Sequence, residues 1–441
     1  MPERNESKNG LTRTLGPLML WGLGTGYVIS GMYFGWNLGL EKGGTAGMAI
    51  ATLIVTLMYV TFTFGYTELA CAIPKAGGAF DYASRALGKN WGFVAGIAQI
   101  IEFVFAPPAI AFAIGDYMSG FLGESSKLPV AIVSYLLFTA VNIRGVKLAA
   151  SFELIVTLIA ITGLLAFFFL AFPAFESGNL VKDNPSGTFA GVFAAIPFAI
   201  WFYLGIEGVA NAAEETIHPK RNVVIGFGSA MATLVILCLL TFISSVGING
   251  WKSVVFPTGS SETSDSPLLL ALNHVPGISD ITITIFTLLG LAGLIASFHG
   301  IIFAAGRATF EFGRLGFAPK AIGRIHPKFH TPVSALLLNM FIGILALLTG
   351  KTAEIIILSV FGALTLYLIS TVSLIVLRKK EPGMERPFQV PWYPVFPMVA
   401  MAIAAISLVS MLIFHPLTGI AYCGVIFLSF VLSKFYYGKA R

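Results

Sequence analysis

The sequence predicts an all-α membrane protein of about twelve transmembrane helices, and two observations carry that expectation. Of 441 residues, 56% are hydrophobic and only 11% charged, whereas a soluble domain carries about 25% charged residues. The apolar residues also lie in runs of about 18 to 25, the length that crosses a ~30 Å hydrocarbon core. A mean hydropathy of +0.85 agrees with both. Such a chain is mostly dissolved in lipid rather than folded around a water-excluded core.

The runs fall near 17–40, 46–73, 91–121, 128–143, 149–172, 189–213, 223–248, 281–312, 332–349, 354–377, 393–414 and 416–434. The first is too long for a secretory leader and lacks a small-residue cleavage site, so it should remain a helix. The longest polar stretch, 249–280, reads as a loop with room for a short helix.

Basic residues orient the spans. With the N-terminus in the cytoplasm, 22 of the 27 Lys and Arg fall on the cytoplasmic side, leaving Lys42, Lys127, Lys182, Lys252 and Lys351 outside. This is the positive-inside pattern, with both termini cytoplasmic. The net charge of +6 therefore belongs to the membrane surface and requires no nucleic acid. Cys71, Cys238 and Cys423 stand far apart in apolar runs, which suits small core residues rather than a disulfide framework or a metal site.

Two runs carry signs of broken helices. The first contains Gly22, Gly24, Gly26, Gly31, Gly35 and Gly39, with Ser30-Gly31-Met32-Tyr33-Phe34-Gly35 near its middle. The sixth contains Pro197 and then Trp201-Phe202-Tyr203-Leu204-Gly205-Ile206-Glu207-Gly208. Any one glycine is also explained by close helix packing in lipid. The pair is more informative: two Gly-interrupted segments five helices apart mark an inverted-repeat transporter, because an odd separation reverses the orientation of the second set. Unwound backbone is tolerated at that depth only where it lines a cavity or is buried in protein.

Ionisable residues at membrane depth cost about 2.5–3.5 kcal/mol each on insertion scales and ask for a reason. Glu102 lies roughly 16 Å along the third run, and His299 roughly 18 Å from the cytoplasmic end of the eighth, at 1.5 Å per residue. No Lys or Arg shares their depth. Glu102 is then either a protonated packing residue or an anion for an ammonium solute or a proton. His299 is either a satisfied bundle histidine or a solute contact. Glu207, inside the sixth-run break, can cap freed N–H groups or carry a proton. Glu68 and Glu153 are expected nearer the cytoplasmic face, within reach of loop cations, and Asp116 near the outer surface in solvent. Pro107-Pro108 should kink the third helix. The aromatics Tyr33, Phe34, Trp36, Trp201, Phe202 and Tyr203 cluster at the breaks, where an organic cation would gain from their faces. No Walker loop, nucleophile elbow or zinc spacing is present, and no enzyme activity is expected.

Together these residues resemble the amino acid–polyamine–organocation superfamily with its LeuT-type five-plus-five fold. The likeness runs through the whole chain: the Gly-rich first helix, Glu68-Leu69-Ala70 through Pro74 and Gly77-Gly78, Gly205-Ile206-Glu207, and Arg307 through Arg314, Gly316 and Pro319. Three stretches are similar to bacterial ethanolamine permeases: Val28 through Asn37, Glu102 through Pro107, and Ser297 through Ile302. The chain departs from that pattern at Met32, where an acidic residue often stands. Some proton-coupled relatives place a lysine where this chain has Ala160. Ala304-Ala305-Gly306 stand where sodium-coupled relatives place hydroxyl ligands, which argues against sodium coupling.

The resemblance implies a secondary transporter of ethanolamine or a similar small amine in the bacterial inner membrane, driven by protons or by exchange. An amino acid or polyamine permease of the same fold is the alternative, and a channel or receptor is the rival from another class. The implied solute-binding residues are Val28, Ser30, Gly31, Met32, Tyr33, Glu102, Trp201, Leu204 and His299. Trp201 and Tyr203 would act as gates, and Glu207 and Glu153 in proton coupling. First- and sixth-helix carbonyls, from Tyr27 or Val28 and from Trp201 and Leu204, would hold the amine. The expected organisation is a terminal segment 1–16, five-helix repeats 17–172 and 189–377, two peripheral helices 393–434 and a tail 435–441. Expected partners are the amine and the lipid bilayer, with a homodimer as the candidate assembly and no nucleic acid, cofactor or metal.

Overall fold

The computed structural model describes residues 13–182 and 189–437, so the expected terminal segments 1–16 and 435–441 fall mostly outside the described residues. Among those residues, nine helices are long and apolar enough to cross a bilayer. Three shorter ones, Pro17–Tyr33, Phe189–Trp201 and Val333–Leu347, complete the pattern of twelve spans. No β-strand is present among the described residues, only an isolated bridge between Leu15 and Thr216.

Span one is Pro17–Tyr33 followed, after a break, by a short helix from Asn37. That helix is joined to span two at Gly44, whose φ of +61° and ψ of −171° no β-carbon would favour, and span two then runs to Ala72. Spans three to five are Lys89–Leu122, Lys127–Ile143 and Val146–Ala171. Span six is broken after Phe189–Trp201 and resumes as Gly208–Asn211. Spans seven to twelve are Pro219–Asn249, Asp280–Arg314, Val333–Leu347, Thr352–Lys380, Val395–Phe414 and Pro416–Tyr437.

The helix of span three runs through Pro107 and Pro108. Two connections hold more helix than expected. The 74–90 connection holds a helix, Ala79–Leu87, because Phe80, Tyr82, Ala83 and Ala86 give it one apolar face to bury. Its Phe80 packs edge-on to Phe312 and Phe317. Burial also pushes the Asp81 carboxyl on this helix upward, against the pull of Lys75 and Arg314. The polar stretch 249–280 contains two short helices, Lys252–Val255 and Pro267–Leu272.

The spans pack so that one and six lie at the centre. Span one contacts spans five, seven and eight, and span six contacts span two. Span three is held between spans eight and ten. Spans eleven and twelve are outermost, joined to the rest partly through the stacked rings of Phe361 and Tyr422. Twelve crossings return the chain to its starting side, here called the terminal face.

Candidate solute-binding site

The site is built where the two breaks meet. Phe34 is fully extended (φ −158°, ψ 170°) and ends the first half of span one. Gly35 follows at φ +86°, a left-handed conformation that glycine adopts without a β-carbon penalty. The freed backbone finds local partners: Gly35 N–H donates to Asn37 Oδ1 at 3.1 Å, and Trp36 Nε1 donates to the Met32 carbonyl at 3.1 Å. In span six, residues 202–207 form successive turns, with Gly205 at φ +96°. The break in span one therefore lies at Phe34-Gly35-Trp36, at the end of the expected Ser30–Gly35 segment, while Ser30 to Tyr33 are helical.

The breaks touch directly. A β-carbon on Gly31 would run into the Trp201 carbonyl oxygen, and one on Gly35 would stand 2.5 Å from Trp201 Nε1. Phe34 meets Trp201 edge-on at 5.4 Å between ring centroids, and Trp36 stacks on Phe202 at 5.4 Å. The Tyr27 carbonyl oxygen lies beside Gly205.

Glu102 points at this junction from span three. Its backbone is fixed by span ten: Ser359 Oγ donates to the Glu102 carbonyl at 2.7 Å, and Gly362 lies against the same turn. The side chain is fully buried, and neither carboxylate oxygen has a hydrogen-bond partner among the described residues. The polar groups that face it are the Gly205 N–H and the Glu207 carboxyl, both from the broken span six. Glu207 is steadied on its far side, where Tyr367 donates to Oε2 at 3.0 Å. Tyr367 in turn shares a 2.9 Å hydrogen bond with Tyr59, and the Tyr203 hydroxyl pairs with Thr56 at 2.8 Å. Two neighbouring buried carboxyls cannot both ionise without a cation, so the pair either shares a proton or takes a cationic group.

The other expected residues separate into a second cluster. His299 Nδ1 pairs with Glu153 Oε2 at 2.8 Å, both side chains fully buried, and Asn142 donates to the His299 carbonyl. Glu153 thus meets a buried histidine rather than loop cations, because Gly26 and Gly300 leave its carboxylate room in the core. Asp116 is likewise not free in solvent but paired with Lys127 at 2.7 Å. Glu68 meets one cation from the last turn of span ten and one from the loop beyond it: Arg378 Nε donates to it at 2.9 Å, and Arg386 and the Val390 N–H join. Val28, Met32 and Leu204 are buried apolar neighbours of the breaks. Tyr33 turns toward span five, donating to the Ala160 carbonyl at 2.6 Å.

A family model for amino acid permeases matches residues 18–437. The chain belongs to the amino acid permease family. It is 29% identical over 406 residues to an uncharacterized transporter of Rhizobium meliloti, covering 89% of this chain and 85% of that one. It is 27% identical to the methylthioribose transporter of Bacillus subtilis, covering 91% and 88%. It is 26% identical to a branched-chain amino acid permease of the same organism, covering 89% and 87%. The protein is a multi-pass membrane permease of the amino acid–polyamine–organocation superfamily, with the discontinuous first and sixth helices of that fold.

Two further residues shape the span-one side of the junction. Ser297 Oγ donates to the Gly26 carbonyl at 2.6 Å and accepts from the Ser30 N–H at 2.8 Å. It thereby bridges two groups that an uninterrupted helix would pair with each other. Tyr27 is fully buried between Gly208 and Gly300, with a hydroxyl that has no partner among the described residues. The resemblance pointed to both, to Tyr27 through its carbonyl and to Ser297 in the stretch through Ile302, but not to these side-chain contacts.

On the terminal face the permease is closed by ion pairs. Arg307 Nε meets Glu215 at 3.3 Å with both fully buried, and Arg314 bridges Glu214 and Glu311. On the opposite face a cavity of about 560 Å³ opens among Asp116, Tyr117, Lys127, Asp265 and Thr287. At its floor the Tyr117 hydroxyl reaches the Tyr33 carbonyl at 3.4 Å.

Proposed function

We propose that this permease carries ethanolamine or a similar small amine across the bacterial cytoplasmic membrane, driven by protons or by exchange. The reading rests on one observation: the Glu102 carboxyl is fully buried at mid-membrane, facing the Gly205 N–H and the Glu207 carboxyl of the broken sixth span with no basic side chain beside it. An ammonium is the ligand that such a group lacks. A charge-assisted hydrogen bond there is worth about 1.5–3 kcal/mol net, or roughly 10- to 150-fold in affinity. The Tyr27 carbonyl supplies a second acceptor, and the Tyr27 hydroxyl suits the alcohol end of the solute.

Both termini are assigned to the cytoplasm, since 22 of 27 basic residues lie on that side. The chain is read as five-helix repeats 17–172 and 189–377, with spans one, two, six and seven rocking against three, four, eight and nine. Glu207, adjacent to Glu102 and hydrogen-bonded to Tyr367, is the proton carrier of this scheme. Glu153, bonded to His299, is a second proton-binding group coupled through span one. Trp201 and Tyr203 serve as gates over the seat.

The relatives favour a second reading, an amino acid as cargo, since one of them is named a branched-chain amino acid permease. A zwitterion also needs N–H donors for its carboxylate. In span one, Ser30 N–H is already bonded to Ser297, and Gly31 lies against the Trp201 carbonyl. That supports the amine. Competition of labelled ethanolamine uptake in proteoliposomes separates the two readings. Inhibition by unlabelled ethanolamine but not by branched-chain or hydroxy amino acids supports the amine, and the reverse ranking overturns it.

A further inference from the structure

A groove of about 460 Å³ runs along the membrane-facing surface between spans two and seven, and no step of the transport scheme uses it. Its walls are Thr63, Phe64 and Thr67 of span two and Gly228, Met231 and Val235 of span seven. Phe388, from the connection after span ten, closes its end at the terminal face. The lining residues of span seven recur at 224, 228, 231 and 235, one stripe of a 3.6-residue helix. From Val224 to Ile236 that stripe is about 18 Å long at 1.5 Å per residue. The hydrocarbon of one leaflet is about 15 Å thick, half of a ~30 Å core. The groove is therefore as long as the leaflet it faces, is almost wholly apolar, and lies between two spanning helices, where bilayer lipid is the surrounding medium.

Its polar end is basic. Continuing the stripe one turn toward the terminal face places Arg221 directly in line, three residues before Val224. Arg221 is exposed, and its guanidinium has no partner among the described residues. The neighbouring charges are spent: Lys220 pairs with Glu385 at 2.6 Å, and Arg386 is held by Glu68 and by loop carbonyls. An unpaired arginine above an apolar slot of leaflet length fits an anionic lipid headgroup with one acyl chain below it.

We propose that this groove is a binding site for an anionic phospholipid. One acyl chain lies along Thr63, Gly228 and Met231, and the phosphate is held at Arg221. The bound lipid packs against Phe388 as well as spans two and seven, and so bridges two moving-bundle helices to the connection after span ten. This assignment is independent of which solute the permease carries.

Gly228 makes the site testable without disturbing the fold, because no atom lies within 4 Å of where its β-carbon would stand. The full chain is reconstituted in phosphatidylcholine vesicles doped with a phosphatidylglycerol or a phosphatidylcholine bearing a diazirine in its acyl tail. Crosslinks are then mapped by mass spectrometry. Phosphatidylglycerol should label the groove residues at least fivefold more than phosphatidylcholine does. Gly228→Leu, filling the slot, should reduce groove labelling at least fivefold while labelling on spans eleven and twelve stays constant. Arg221→Gln should abolish the headgroup preference, and Arg221→Lys should keep most of it. Equal groove labelling by the two headgroups, or labelling unchanged by Gly228→Leu, overturns the proposal. An unchanged unfolding temperature for each variant excludes misfolding as the cause of any loss.

Discussion

Gly362→Ala is a change in span ten that should be felt at Glu102 in span three. The added β-carbon would stand 2.5 Å from the Ala98 carbonyl oxygen and 2.9 Å from the Glu102 nitrogen. Ordinary contact begins at 3.4 Å, so the two helices must part by about 0.9 Å (3.4 minus 2.5). Both obstructing atoms are backbone, and no rotamer change can relieve them. Overpacking of this kind costs about 1–3 kcal/mol, equivalent to roughly 5- to 150-fold in binding if the cost falls on the seat. A shift near 1 Å is also enough to spoil a positioned contact. The assay is equilibrium binding of labelled ethanolamine in detergent, with the unfolding temperature recorded alongside. Gly424→Ala in span twelve is the control, since nothing lies within 4 Å of its β-carbon position. Gly362→Ala should lose at least fivefold in affinity and Gly424→Ala less than twofold. Affinity within twofold of wild type for Gly362→Ala, at unchanged stability, would refute the claim that span ten fixes the seat.

Three further outcomes follow from the same geometry. Glu68→Gln leaves Arg378 and Arg386 facing a neutral amide. Breaking a buried pair costs about 3–5 kcal/mol, and Arg378 is 19% exposed, so a loss of about 3 kcal/mol is expected in denaturant unfolding, with Glu68→Gln and Arg378→Gln strongly non-additive. Asp265, in the loop over the outer cavity, is pushed up to about 7 by burial and by Asp116. The folded loop then binds more protons than the unfolded chain between the ordinary carboxylate range and pH 7, so its stability is highest at low pH and falls as pH rises through 7. Hydrogen exchange of residues 257–272, corrected for intrinsic rates, should show less protection at pH 8 than at pH 5, and Asp265→Asn should remove the difference. Tyr27→Phe deletes a buried hydroxyl without a partner, so stability should hold or rise by up to about 1 kcal/mol. A clear fall in unfolding temperature would show that the hydroxyl is bonded in the folded permease.

The spans and the existence of two breaks were legible because lipid imposes a long apolar run per crossing and punishes unpaired backbone. Glu102 was legible for a related reason: a lone acid at mid-membrane has few innocent explanations. What stayed hidden depends on long-range contact. The Glu153–His299 pair joins residues 146 apart, and depth along a helix does not say which way either side chain faces. Where within Ser30–Gly35 the first span breaks was also hidden, because Ser297 from span eight bridges Gly26 and Ser30 while Gly35 takes the left-handed turn. The helix Ala79–Leu87 escaped notice because nine residues with Asp81 and Arg85 resemble a polar loop until Phe80 finds Phe312.

The central claim is that Glu102 is the anion for a solute ammonium, and one measurement tests it most directly. Binding of ethanolamine to purified wild type and Glu102→Gln is compared at neutral pH by calorimetry, with thermal unfolding as the fold control. Glutamine keeps the size and loses the charge. The account predicts at least a tenfold loss of affinity, the lower end of a 1.5–3 kcal/mol charge-assisted bond, with the fold intact. A Glu102→Gln permease that binds ethanolamine as tightly as wild type would contradict it.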